Sequence, residues 1–106
     1  MIWNVEVKEE AISHLAWFGK ATGRKLLQNA RKHLEQDPLA EPKNMKSLRP
    51  NPIAQRELRL FGKYRVLFSV DAEAELVTII LAGEKRANKL LVSGKEFSAH
   101  ESDSAE

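Results

Sequence analysis

The chain has no cysteine. That rules out disulfides and any cysteine-ligated metal, and it suits a reducing compartment, so a cytoplasmic location is expected. Aromatic residues are few, and only one of them is a tyrosine. No run of 18 or more apolar residues occurs, which argues against a membrane-spanning helix. The opening MIWNVEVKEE lacks a basic stretch followed by an apolar one and does not read as a secretory signal. The three histidines, at 14, 33 and 100, have no metal-ligand spacing. GKATGRK falls between two helical patterns and lacks the strand and GK[ST] ending of a phosphate loop. Neither a metal nor another cofactor is expected.

Acidic residues are also scarce where basic ones gather. From Lys43 to Arg65 there are seven cations, Lys43, Lys46, Arg49, Arg56, Arg59, Lys63 and Arg65, and a single acid, Glu57. The net charge of +2 hides this, because residues 98–106 carry −3 and residues 1–97 therefore +5. Such a concentration points to a polyanionic partner, a nucleic acid or an acidic peptide; a solvated basic surface is the plain alternative. At 106 residues and 42% hydrophobic content, one domain with one modest core is expected over 1–97, followed by an acidic, disordered tail over 98–106.

The periodicity changes along the chain. IWNVEV is short and rich in β-branched residues, and reads as a strand. Ala11, Ile12, Leu15 and Phe18 then fall at helical spacing, with Glu9 and Glu10 where a helix dipole favours negative charge. Gly19 and Gly23 bracket a break. Leu26, Leu27, Ala30 and Leu34 form the apolar stripe of a second helix, which Pro38 stops. LAEPKNMKSLRPNPIAQ has three of the four prolines and reads as one long loop. RELRL, KYRVLFSVD and AELVTIILAGEK follow as strands, and KLLVSGKEF as a possible short last strand. The order β-α-α-β-β-β predicts an α+β fold, with two N-terminal helices packed on one face of a small, mainly antiparallel sheet.

RELRLFGKYRVLF reads as a hairpin turning at FGK. Pairing Leu60 with Tyr64 sets Leu58 across from Val66 and Arg59 across from Arg65. One face then carries Leu58, Leu60, Tyr64, Val66, Phe68 and Val70. The other carries Glu57, Arg59, Arg65, Leu67 and Ser69. Like charges directly opposite destabilise a sheet. Either Glu57 neutralises the two arginines, or a phosphate or carboxylate completes the site, since the guanidinium fork suits both.

Four segments together resemble the RelE/ParE superfamily of bacterial toxins from type II toxin–antitoxin systems. They are WNVEV with EEAISHL, HLEQDPLAEPKNMKSLR, RELRLFGKYRVLFSVD and VTIILAGEKRANKLLVSGKEF, and they span about residues 2–97. The resemblance implies the fold just described and growth inhibition relieved by a cognate antitoxin. RelE-like members cut messenger RNA on the ribosome, whereas ParE-like members inhibit DNA gyrase. A decayed member would bind only its antitoxin and take part in operon repression. Arg65 stands where the family's hairpin arginine is expected. Arg59, Arg56, Lys46 and Arg49 would add cationic support, as would Lys85, Arg86 and Lys89. The family's late tyrosine is missing, and its late histidine is represented only by His100. Gln55 and Glu57 occupy the positions of the first-strand lysines.

Metal-independent RNA cleavage drives the 2′-hydroxyl onto the adjacent phosphorus. It requires a base, an acid and cations on the phosphorane. Arg65 and Arg59 are the candidate phosphate stabilisers. Glu57 is the candidate base, with a purely ion-pairing role as its alternative. Trp17 lies off the helical stripe and is either an exposed interface anchor or packed over a loop.

Overall fold

Alternating side chains in the second half of the chain and helical spacing in the first build one sheet with two helices on it. The computed structural model describes residues 2–97. In chain order the elements are β1 (Asn4–Val7), α1 (Glu9–Trp17), α2 (Lys20–Gln36), β2 (Met45–Ser47), β3 (Arg56–Leu60), β4 (Tyr64–Asp71), β5 (Leu76–Arg86), β6 (Lys89–Val92) and β7 (Lys95–Phe97). The sheet runs β2-β3-β4-β5-β6-β7 with antiparallel neighbours, and β1 pairs with β5 in parallel. The expected α+β architecture holds.

Three elements differ from the sequence reading. The long loop contains a three-residue strand, β2, whose Met45 pairs with Leu58 and Lys46 with Glu57. The last segment is a hairpin, β6–β7, rather than one strand, because Ser93 and Gly94 both take positive φ and reverse the chain. α2 also begins earlier than expected. Gly19, at φ 98°, makes the break between the helices, whereas Gly23 lies within α2. A Cβ at Gly23 would collide with the Leu15 carbonyl oxygen, so glycine there lets α1 and α2 approach closely.

The principal core lies between helices and sheet. Ala11 and Leu15 of α1 and Leu26, Ala30 and Leu34 of α2 pack on Leu58, Leu60, Val66, Phe68, Val77 and Ile79. Each fully buried large side chain here stabilises the fold by roughly 1.5–3 kcal/mol. Ile12 is the exception to the predicted stripe and is exposed. Tyr64 meets Phe18 edge to face at 5.2 Å on this side of the sheet.

The opposite face holds a second, smaller core. Leu67, Leu81 and Ala54 are buried there, with Leu48, Ile53, Leu90 and Phe97 packed around them. Between Leu67 and Phe68 the β4–β5 register shifts, so Leu67 pairs with Leu81 and Phe68 with Ile79, leaving Ile80 as the extra residue of a bulge. The bulge lets Ile79 and Ala82 share the core of Phe68 while Leu81 joins Leu67 in the other. No helix among the described residues is long and apolar enough to cross a membrane.

Candidate nucleic-acid interface

The β3–β4 register is the predicted one: Arg59 pairs with Arg65, Leu58 with Val66 and Leu60 with Tyr64. Glu57 relieves the like-charge pair. Only 8% exposed, it accepts from Arg59 Nε at 3.4 Å, and Lys46 Nζ stands 4.0 Å from the same oxygen. Lys46 reaches it because β2 sets Lys46 directly across from Glu57. Burial lowers the Arg65 pKa from its usual value, the Glu57 charge opposes this, and Arg59 adds to it. A further anion at this point would remove the repulsion between the two arginines.

Glu57 lies in the wall of a cleft of about 390 Å³ on the face away from the helices. Lys46, Arg49 and Lys85 supply its positive charge, Leu67, Leu90 and Phe97 its apolar surface, and Asn51 and Asn88 its neutral polar groups. Lys46 comes from β2, Lys85 from β5 and Arg49 from the loop after β2. That loop is ordered by Asn51, whose Oδ1 accepts from the Ile53 and Ala54 amides and whose Nδ2 donates to the Arg49 and Ala54 carbonyls. RPNP is the mark of this Asx turn in the sequence, within the stretch whose prolines read as one long loop.

Arg59 and Arg65 line a second groove, of about 470 Å³, with Asn29, His33, Lys43, Asn44, Phe61 and Gly62. Arg65 is held toward it, with Nη1 donating to the Gly62 and Tyr64 carbonyls at 2.9 and 3.0 Å. Arg59 touches both depressions, through its bond to Glu57 on one side and its place in the groove on the other.

Of the nine candidate residues, six thus gather on the open side: Lys46, Arg49, Glu57, Arg59, Arg65 and Lys85. Three do not. Arg56 is buried, donating from Nη1 and Nη2 to the carbonyls of Pro38 and Ala40 at 3.3 and 2.8 Å, and it stands 4.0 Å from Glu41. It ties down the segment after α2 and has no surface to offer RNA. Its parity with Leu58 and Leu60 already places it on the helix side of the strand. Arg86 and Lys89 face each other across the β5–β6 hairpin, on the side away from Lys85. Arg86 pairs with Glu84 at 3.6 Å and Lys89 with Glu96 at 3.9 Å. His100 lies outside the described residues. Trp17 is half exposed, and its indole abuts Gly94 at the β6–β7 turn.

An α+β fold with a mainly antiparallel sheet, two helices on one face and cations on the other defines the class as RelE-like. The chain has the RelE fold, as its sequence resemblance implied. It is similar to the toxin of the RelBE2 toxin–antitoxin complex from Mycobacterium tuberculosis, with a TM-score of 0.68 and 22% identity over 80% of this chain and 93% of that one. A RelE–RelB complex from Pyrococcus horikoshii gives 0.63 and 26% over 82% and 98%. An Escherichia coli RelE variant in the free state gives 0.62 and 23% over 82% and 87%. No protein-family model matches the chain, and no curated protein matches it by sequence.

Proposed function

We propose that this protein is the toxin of a type II toxin–antitoxin system and that it inhibits translation by cutting messenger RNA on the ribosome. The observation that carries the reading is the set of five cations, Lys46, Arg49, Lys85, Arg59 and Arg65, arranged around one buried carboxylate on an open sheet face. Two of the similar structures are complexes of RelE with RelB, which supports a cognate antitoxin as the physiological partner.

In this reading the RNA backbone lies across the cleft. Arg59 and Arg65 hold the scissile phosphate and carry the charge that builds on the phosphorane. Glu57 takes the proton of the 2′-hydroxyl, whose oxygen attacks phosphorus while the bond to the 5′-oxygen breaks. The departing oxygen draws its proton from water or from a cleft lysine. The products are a 2′,3′-cyclic phosphate and a free 5′-hydroxyl.

One observation favours a second reading. The only tyrosine is committed to the core beside Phe18, and the one carboxylate that lines the cleft among the described residues is already ion-paired. A protein that binds without cutting, such as a gyrase inhibitor, has no need of either group. Induced expression in a bacterium, with transcript 5′ ends mapped before growth stops, separates the two. New ends within translated codons, lost in Arg65→Ala, are the expected result. Growth arrest with DNA-damage signalling and no new ends would replace cleavage by gyrase inhibition. Absence of arrest would leave a module that only binds its antitoxin.

A further inference from the structure

The second groove is built in a way that phosphate binding alone does not explain. Phe61 forms its rim at the tip of the β3–β4 hairpin and is 51% exposed. Its backbone sits at φ 50°, a left-handed conformation that is costly for a bulky side chain. Gly62 follows at φ 79°, so the tip is a tight reversal that presents the ring outward. Lys25 Nζ lies 4.8 Å from the ring centroid. An exposed aromatic ring on a tight turn, in one groove with two guanidinium groups, is the combination by which single-stranded nucleic acids are held: stacking for a base, cations for its phosphate.

The rest of the groove supplies polar groups of the matching kind. The Asn29 carbonyl can only accept, so His33 Nδ1 donates in their 2.9 Å bond, which fixes the ring at the groove wall. Asn29 uses its Nδ2 on the Lys25 carbonyl at 2.9 Å, which leaves its Oδ1. Asn44 is fixed beside Arg59, whose amide donates to the Asn44 carbonyl at 2.7 Å. Lys43 adds a further cation. At about 470 Å³ the groove falls within the range of small-ligand sites, roughly 300–1,000 Å³.

Resting on the RNA reading above, we infer that this groove is a nucleotide subsite. One nucleotide of a single-stranded RNA stacks its base on Phe61, and the phosphate joining it to the next nucleotide sits on Arg59 and Arg65. The strand continues past Glu57 into the Lys46–Arg49–Lys85 cleft. The hairpin arginines are therefore the saddle between two occupied depressions, not one end of a single site. An acidic protein segment would use the cations equally well, but it gains little from a planar ring held outward; a nucleobase does.

The test is titration of the isotope-labelled full-length protein with hexauridylate at low salt, followed by amide NMR shifts. The amides of Phe61 and Gly62 are expected to move together with those of Lys46 and Lys85. Phe61→Ala should weaken binding about tenfold, the order set by loss of one base–aromatic stack, while Phe61→Trp retains it. Unchanged amide positions elsewhere in each variant verify the fold. If shifts stay within the Lys46–Lys85 cleft, or Phe61→Ala binds like the parent, the subsite is overturned and RNA binding stands. If hexauridylate moves nothing, both fall. If an acidic peptide moves the groove amides and hexauridylate does not, the groove is a protein-docking site and the inference is wrong.

Discussion

Glu57 and Glu84 are matched carboxylates on opposite faces of one sheet. Each is only 8% exposed, and each is held by two cations. Glu57 holds Lys46 and Arg59, at 4.0 and 3.4 Å; Glu84 holds Lys63 and Arg86, at 3.2 and 3.6 Å. The surroundings differ. Glu84 lies on the helix side, beside Tyr64, and its two cations are spent on it. Its hydrogen bond to Lys63 raises that lysine's pKa. Glu57 lies in a cleft where Arg49 and Lys85 add charge with which it forms no ion pair. Among the described residues, the same ion-pairing device therefore closes one face electrostatically and leaves the other with more cations than acids. What marks a site here is not a buried acid but the surplus of cations around it.

The largest expected effect tests that surplus. Replacing Arg59 and Arg65 together by alanine should abolish growth arrest on induction, with a circular dichroism spectrum like the parent's. Full toxicity of the double variant would remove the assignment. Glu57→Gln should sharpen the contrast between the two acids. Cleavage is expected to fall about 100-fold or more for loss of a general base, while RNA binding tightens because a negative charge leaves a basic cleft. Equal loss of binding and cleavage would instead make Glu57 an ion-pairing residue alone. Glu84→Gln should leave RNA binding and cleavage unchanged and lower stability by about 1 kcal/mol in urea denaturation, the scale of two partly exposed ion pairs.

Arg56→Ala marks the boundary between structural and functional arginines. It leaves the Pro38 and Ala40 carbonyls without their donors, and should cost about 2–3 kcal/mol of stability with RNA affinity preserved in the folded fraction. The smallest effect concerns His14, half-buried, with Nδ1 accepting from the Ala82 amide at 3.4 Å. Burial lowers its pKa from 6.5, against an opposing pull from Glu10. The unfolded chain then takes up the proton first as pH falls, so stability present above pH 6.5 is lost as the pH drops toward the folded-state value. His14→Gln should flatten the denaturation midpoint across that window. An unchanged slope would show that other groups set it.

Much of this fold is written in local pattern. Alternation from Arg56 to Val70 determined which side chains share a face, and FGK determined where the hairpin turns. Together they place Arg59 across from Arg65 with no tertiary information, because period-two geometry permits one register with a continuous apolar side. Helical spacing and Pro38 set the second helix and its end. Parity alone also separates Arg56 from Arg59, a signal in the sequence that the charge count obscured. Leu67, out of phase with its apolar neighbours, was the trace of the second core.

The cleft was decided only in three dimensions. Lys46 meets Glu57 because a three-residue strand pairs there, too short to show a period of its own. Lys85 faces the cleft while Arg86 and Lys89 turn away, an outcome of the β5 bulge and the following hairpin. Arg56 is buried because the segment after α2 has carbonyls that need a donor. Phe61 is exposed because a tight reversal leaves its ring no core to reach. Short-range pattern settles which residues are neighbours on a strand; which strands meet, and which charges then lack a partner, depends on contacts between residues far apart in the chain.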